Sequence, residues 1–146
     1  MYLDGKPTHF DSVADVPAGW PWPDFKPEEF ACHGSGKLFI VPEALDKLQN
    51  LRTKFGKPLK LNSAYRDPAY NCQVAHTGES GPHTTGRAFD ISIEGLDAFE
   101  ILPLLLECGF TGIGVQQKGP PAGRYIHIDD LTSDEGFDTR PWLWSY

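Results

Sequence analysis

Positive charge is in short supply in this chain. Its 146 residues carry 13 Lys and Arg against 20 Asp and Glu, a formal net charge of −7. Phosphate binding needs a basic face, so the balance argues against nucleic acid as the main partner. It also gives no attraction to an anionic membrane. Long apolar runs are missing as well: no stretch approaches the roughly 20 residues of a spanning helix, and no membrane insertion is expected. The N-terminus, MYLDGKPTHFDSV, has no basic segment followed by an apolar one. That predicts synthesis in a cytoplasm without a Sec signal, so any work on the outside would need something else to export or release the protein. Cysteine is scarce and odd in number: Cys32, Cys72 and Cys108, with no CxxC spacing. This excludes a zinc knuckle and a full disulfide framework and leaves a Cys32–Cys72 bridge open. Cys32 beside His33 reads as a small buried residue next to a polar loop. Internal repeats and low-complexity linkers are absent too.

What is present suits one domain over 1–146, large enough to bury a core without staples. The first 26 residues read as an irregular segment packed on it, because VPAGWPWPDFKPEEF holds four prolines and such chain lies extended over a core. VPEALDKLQNLRTKFG is the clearest helix. Pro42 stands near its start, Leu45, Leu48, Leu51 and Phe55 form one apolar stripe, and Gly56 closes it. KPLKLNSAYRDP reads as a short strand and a turn, with Asp67 and Pro68 as cap and first residue of a short helix. LDAFEILPLLLECGF is a further helix, bent or shortened by Pro103 and ended at Gly109. TGIGV is a strand and QQKGPPAG a loop. Strands clustered after a helix, with another helix between them, predict an α+β domain with a mostly antiparallel sheet and flanking helices.

Two strands alternate. In GRAFDISI, Phe89, Ile91 and Ile93 share one face, and Ala88, Asp90 and Ser92 the other. In RYIHIDD, Ile126 and Ile128 share one face, and Tyr125, His127 and Asp129 the other. If the strands pair, Asp90 and His127 converge, and His83, in the loop entering the first strand, closes the triangle. Two imidazoles and a carboxylate suit Zn²⁺, one per chain, and three protein ligands leave a position open for water, the pattern of a catalytic site. Zinc lowers the pKa of such a water from about 15.7 to roughly 7. A lone His or Asp in a loop is more often solvated or hydrogen-bonded than metal-bound, so the triad stands on the convergence.

SAYRDPAYN, HTTGRAFD and YIHID, in that order, resemble the zinc D-alanyl-D-alanine carboxypeptidase and L-alanyl-D-glutamate endopeptidase family. These enzymes cut the stem peptides of bacterial peptidoglycan, and many are phage endolysins. The resemblance runs from about Phe25 to the C-terminal RPWLW. It implies a small α+β domain of the hedgehog/DD-peptidase type with a zinc cleft on an antiparallel sheet, and it places the zinc ligands on His83, Asp90 and His127. It also implies that Arg66, at the arginine of the family's S-G-Y-R motif, holds an oxyanion or a substrate carboxylate. Ser63 and Tyr65 read as structural. Gly81 stands where many relatives have serine.

The larger departure concerns the general base. Relatives carry Glu or Asp three before the last histidine, or a histidine two before it; here Arg124 and Tyr125 stand there. Asp129, on the strand face of His127, is the nearest carboxylate. It can act as base or, alternatively, orient His127. Tyr125 can donate to a developing oxyanion. Asp130, facing the other way, is expected to matter little to turnover. His76 and Glu79 lie in the loop before His83 and can line the cleft; His9 and His33 have no partners at a useful spacing. The aromatic tail RPWLWSY is expected to pack back on the domain rather than bind sugar faces.

The implied function is a zinc peptidase cutting an amide of the stem peptide, as a monomeric phage-type endolysin that acts on the wall after release, with a virion-associated lysin and a bacterial housekeeping enzyme left open. The alternative is a catalytically silent, zinc-stabilised binding or structural module, and a third reading is a zinc hydrolase of another amide.

Overall fold

The computed structural model describes residues 1–135 and 139–146. Its centre is a five-stranded sheet in the order β3-β4-β6-β5-β7: β3 (Lys60–Ser63), β4 (Ala88–Ser92), β5 (Gly112–Gln116), β6 (Tyr125–Asp129) and β7 (Trp142–Ser145). The β3–β4, β4–β6 and β5–β6 pairs are antiparallel, and β5–β7 is parallel. A second, two-stranded antiparallel sheet joins β1 (Thr8–Phe10) to β2 (Leu38–Ile40). With the helices α1 (Pro42–Phe55), α2 (Pro68–Val74) and α3 (Gly95–Glu107), this is the expected α+β architecture.

The period-two patterns decide which face of the sheet is dry. Phe89, Ile91, Ile126 and Ile128 point to one side and are buried. There they meet Leu45, Leu48 and Leu51 of α1 and Ile101 and Leu105 of α3 in one core. Each such side chain contributes on the order of 2 kcal/mol of transfer free energy. Asp90 and His127 point to the opposite face. The sheet thus separates a core from a polar surface, and the polar surface is where chemistry can sit.

α1 behaves as its sequence predicts. Pro42 occupies its first turn, and Gly56 closes it in the left-handed region at φ 75°, where a residue without Cβ is not strained. Asp67 caps α2, its side chain accepting from the Tyr70 backbone N–H at 2.8 Å.

Two expectations need correction. α3 is not shortened by Pro103 but runs through it to Glu107. Pro103 is solvent-exposed, as is Phe99, whose carbonyl loses its partner, so water can satisfy that group. The N-terminal segment is not wholly irregular: β1 pairs with β2, and short 3₁₀ turns flank it, while Trp22 and Phe25 plug the core. The tail packs back as expected, as a strand of the main sheet. All three cysteines are free thiols. Among the described residues no helix is long and apolar enough to cross a membrane.

Candidate metal centre

Register brings the first two side chains together. Asp90 of β4 stands directly opposite His127 of β6. His83 arrives from the 3₁₀ turn Pro82–Thr85, which ends at Gly86 in the left-handed region at φ 72°. A side chain at Gly86 would meet the Phe39 carbonyl and Val41, so glycine here lets the turn lie against β2. The segment after β3 holds the turn from the other side: the Arg66 N–H donates to the His83 carbonyl at 3.0 Å, and His83 Nδ1 lies 2.7 Å from the Ala64 carbonyl.

One ligand atom from each of His83, Asp90 and His127 lies within 4.8 Å of the other two. His83 Nε2 is 3.3 Å from Asp90 Oδ2, and His127 Nδ1 is 3.1 Å from Asp90 Oδ1. Two ligand atoms on a tetrahedral zinc, each about 2.0–2.1 Å from it, stand about 3.3 Å apart. The outer ring nitrogens strengthen the fit. His83 Nδ1 faces a carbonyl, and His127 Nε2 faces the Asp129 carboxylate at 2.8 Å. Both partners only accept, so each outer nitrogen carries the proton and each inner nitrogen of a neutral ring presents a lone pair to Asp90. Three acceptors facing one another is an arrangement that a cation resolves.

The electrostatics agree for His83 and Asp90 and run the other way for His127, whose proton a cation would have to displace. Burial pushes the His83 imidazole down, favouring the neutral ring that ligates. For His127, burial acts in the same direction, but Asp129 and Asp90 outweigh it and raise the ring. Burial works against an ionised Asp90, yet the two histidines hold it well below the usual carboxylate range.

The triad lies in a cleft of about 550 Å³, lined also by Arg66, His76, Tyr125, Arg140, Trp142, Trp144 and Tyr146. That volume suits a small-molecule or peptide ligand. Arg66 is aimed by Ser63, whose Oγ accepts from Nε at 3.1 Å, and its Nη2 lies 3.5 Å from Asp90 Oδ2. Ser63 is structural, as expected. The Tyr125 and Tyr146 rings contact at 5.4 Å. Burial raises both phenols, Tyr146 to about 12, so both hydroxyls remain hydrogen-bond donors near neutral pH.

Asp129 is not in the cleft. Its side chain is 0% exposed, beneath His127 Nε2, and it accepts two bonds from Arg140, Nε at 3.0 Å and Nη2 at 2.9 Å. Burial opposes its charge, but His127 and Arg140 hold it down at about 2. This is the geometry of the second role weighed for it, orienting His127, and not of a group that reaches a water in the cleft. Asp130 faces the other side, as expected, where its Oδ2 takes Arg87 at 2.7 Å and Lys47 at 2.9 Å. Arg124, at the position where relatives carry a base, turns to the Gly119 carbonyl and Glu94. His9 stacks on Phe39 and has no part in the site.

The tail supplies what the sequence reading missed. Trp142 and Trp144 of β7 and Tyr146 just after it face the cleft, and Trp144 lies against the His127 ring at 5.2 Å. The W-x-W-x-Y alternation of RPWLWSY carried that signal.

The peptidase M15 family model matches residues 23–129, which spans all three candidate ligands. No curated protein and no solved structure matches the chain. With a match over most of its length and a metal-ligand cluster inside the match, the chain belongs to the peptidase M15 family of metallopeptidases.

Proposed function

We propose that the protein is a zinc-dependent peptidase that hydrolyses an amide bond in the stem peptide of bacterial peptidoglycan, working as a monomeric phage-type endolysin. The observation that carries the reading is the convergence of His83, Asp90 and His127 in an open cleft. The endolysin role rests on the resemblance of SAYRDPAYN, HTTGRAFD and YIHID to a family rich in phage lysins. A zinc ion held by the triad would supply an activated water and polarise the scissile carbonyl.

The chain's own residues do the rest. Arg66 presents a guanidinium beside the triad and stabilises negative charge developing on the carbonyl oxygen or binds a substrate carboxylate. Tyr125 and Tyr146 donate hydrogen bonds from protonated hydroxyls. Asp129 orients His127 from below. Proton transfer falls to His76. It lines the cleft and is exposed, imidazole is the side chain most often used for general acid–base work, and no other non-ligand imidazole or carboxylate lines the cleft among the described residues.

The second reading, a silent zinc module, is favoured by Arg124 standing in the base's usual place. One experiment separates the two. Protein purified without chelator is analysed for metal, then incubated with purified peptidoglycan, and the products are read by mass spectrometry. The expected result is one zinc per chain and cleaved stem peptides, both lost on chelation. Full zinc occupancy with intact peptides would assign the silent module, and metal-free protein that still cleaves would remove zinc from the reaction.

A further inference from the structure

The family match ends at Asp129, yet two groups that grip His127 come from beyond it. We propose that Arg140 is a positioning residue for the metal centre: its guanidinium locks the Asp129 carboxylate, which in turn fixes the ring of His127 so that Nδ1 points at the metal position. The inference rests on the reading of His83, Asp90 and His127 as a metal site.

The chain of contacts is short and buried. The Arg140 side chain is 5% exposed and that of Asp129 0%. Nε reaches Oδ1 at 3.0 Å and Nη2 reaches Oδ2 at 2.9 Å, a fork that fixes the plane of the carboxylate as well as its position. The same Oδ2 faces His127 Nε2 at 2.8 Å, and the Leu131 N–H donates to Oδ1 at 3.3 Å. Arg140 also lies over Trp144, 5.3 Å from the ring centroid, and Trp144 covers the His127 ring at 5.2 Å. The imidazole is therefore held at its edge through Asp129 and on its face by Trp144, both fastened by the chain from Arg140 into β7. Opposite His127, β5 carries Gly114, and opposite Asp129 it carries Gly112. A Cβ at Gly114 would meet the Trp144 indole, and one at Gly112 the Asp129 carboxylate. The sequence of β5 thus leaves room for both grips. A lysine at 140 would keep the charge but not the fork.

The test compares wild type with Arg140→Lys and Arg140→Ala. Zinc dissociation constants are measured by chelator competition, the visible spectrum of the Co²⁺-loaded protein reports ligand geometry, and circular dichroism of the metal-free protein reports folding. The expected result is a folded Arg140→Lys protein whose zinc binding is weaker by roughly 10–100-fold, the range for losing an outer-shell partner, with an altered Co²⁺ spectrum. If Arg140→Ala leaves buried Asp129 unpaired and does not fold, Arg140→Lys carries the test alone. A folded variant with wild-type zinc affinity and spectrum overturns the proposal while leaving the metal centre intact. Loss of folding in both variants would assign Arg140 to the fold and overturn it as well. Wild-type protein that binds no zinc would sink the metal-centre reading itself.

Discussion

At the scale of single residues, the site is a matter of which atom each side chain has free. His83 and His127 look alike in the sequence, yet one presents Nε2 and the other Nδ1 to Asp90. The difference comes from what occupies the opposite nitrogen, a backbone carbonyl in one case and Asp129 in the other. The same logic underlies the proposal that His76, and not Asp129, which has no lone pair left toward the cleft, transfers the proton. His76→Ala is expected to lower turnover on the order of 100-fold, the lower range for removing a general acid–base group. Zinc content should stay at the wild-type level. Turnover at saturating zinc, with metal analysis of the same sample, is the check, and near-normal turnover would return the search for a base to Glu79.

At the scale of elements, β5 is the strand whose composition the site demands. Its neighbours on either side are β6 and β7, and its two glycines stand beside the bulkiest groups those strands bring in. Gly114→Ala should push the Trp144 indole off the His127 ring and cost about 1–3 kcal/mol, the usual scale for forcing extra volume into a packed site. Near-UV circular dichroism should register the displaced indole, and thermal unfolding the lost stability. Gly123→Ala is the control: a Cβ there meets nothing within 4 Å and its φ is not positive, so the change should fall within about 0.5 kcal/mol. Equal effects from the two substitutions would mean that the indole is not held against Gly114.

At the scale of the whole molecule, the sheet keeps two ionic systems on opposite sides. Asp129 serves the metal side. Its neighbour Asp130 points to the other, where Lys47 of α1 and Arg87, just before β4, close on one oxygen. Asp130→Asn leaves both cations facing a neutral amide. Breaking a buried pair costs about 3–5 kcal/mol, and because both cations are partly exposed about 2–3 kcal/mol is expected. For a chain of this length that lowers the midpoint by on the order of 10 °C. Zinc affinity of the folded protein should not change. A variant with unaltered thermal stability would show that the pairing contributes nothing net.

The strand alternation, the α1 stripe with its Pro42 and Gly56 ends, and the His83, Asp90 and His127 set were all legible in the sequence. The reason is physical: hydrophobic period and capping chemistry are local, and a two-residue period assigns each strand residue to a face before any partner is known. Local patterns do not say what lies beneath a side chain or which strand a distant tail will join. The burial of Asp129, the fork of Arg140 on it, and the placement of Trp144 over His127 depend on β7 docking in parallel beside β5, a pairing between segments far apart in the chain. Whether a carboxylate handles protons or holds a ligand in place depends on how its lone pairs are occupied, and only the packed tertiary structure decides that.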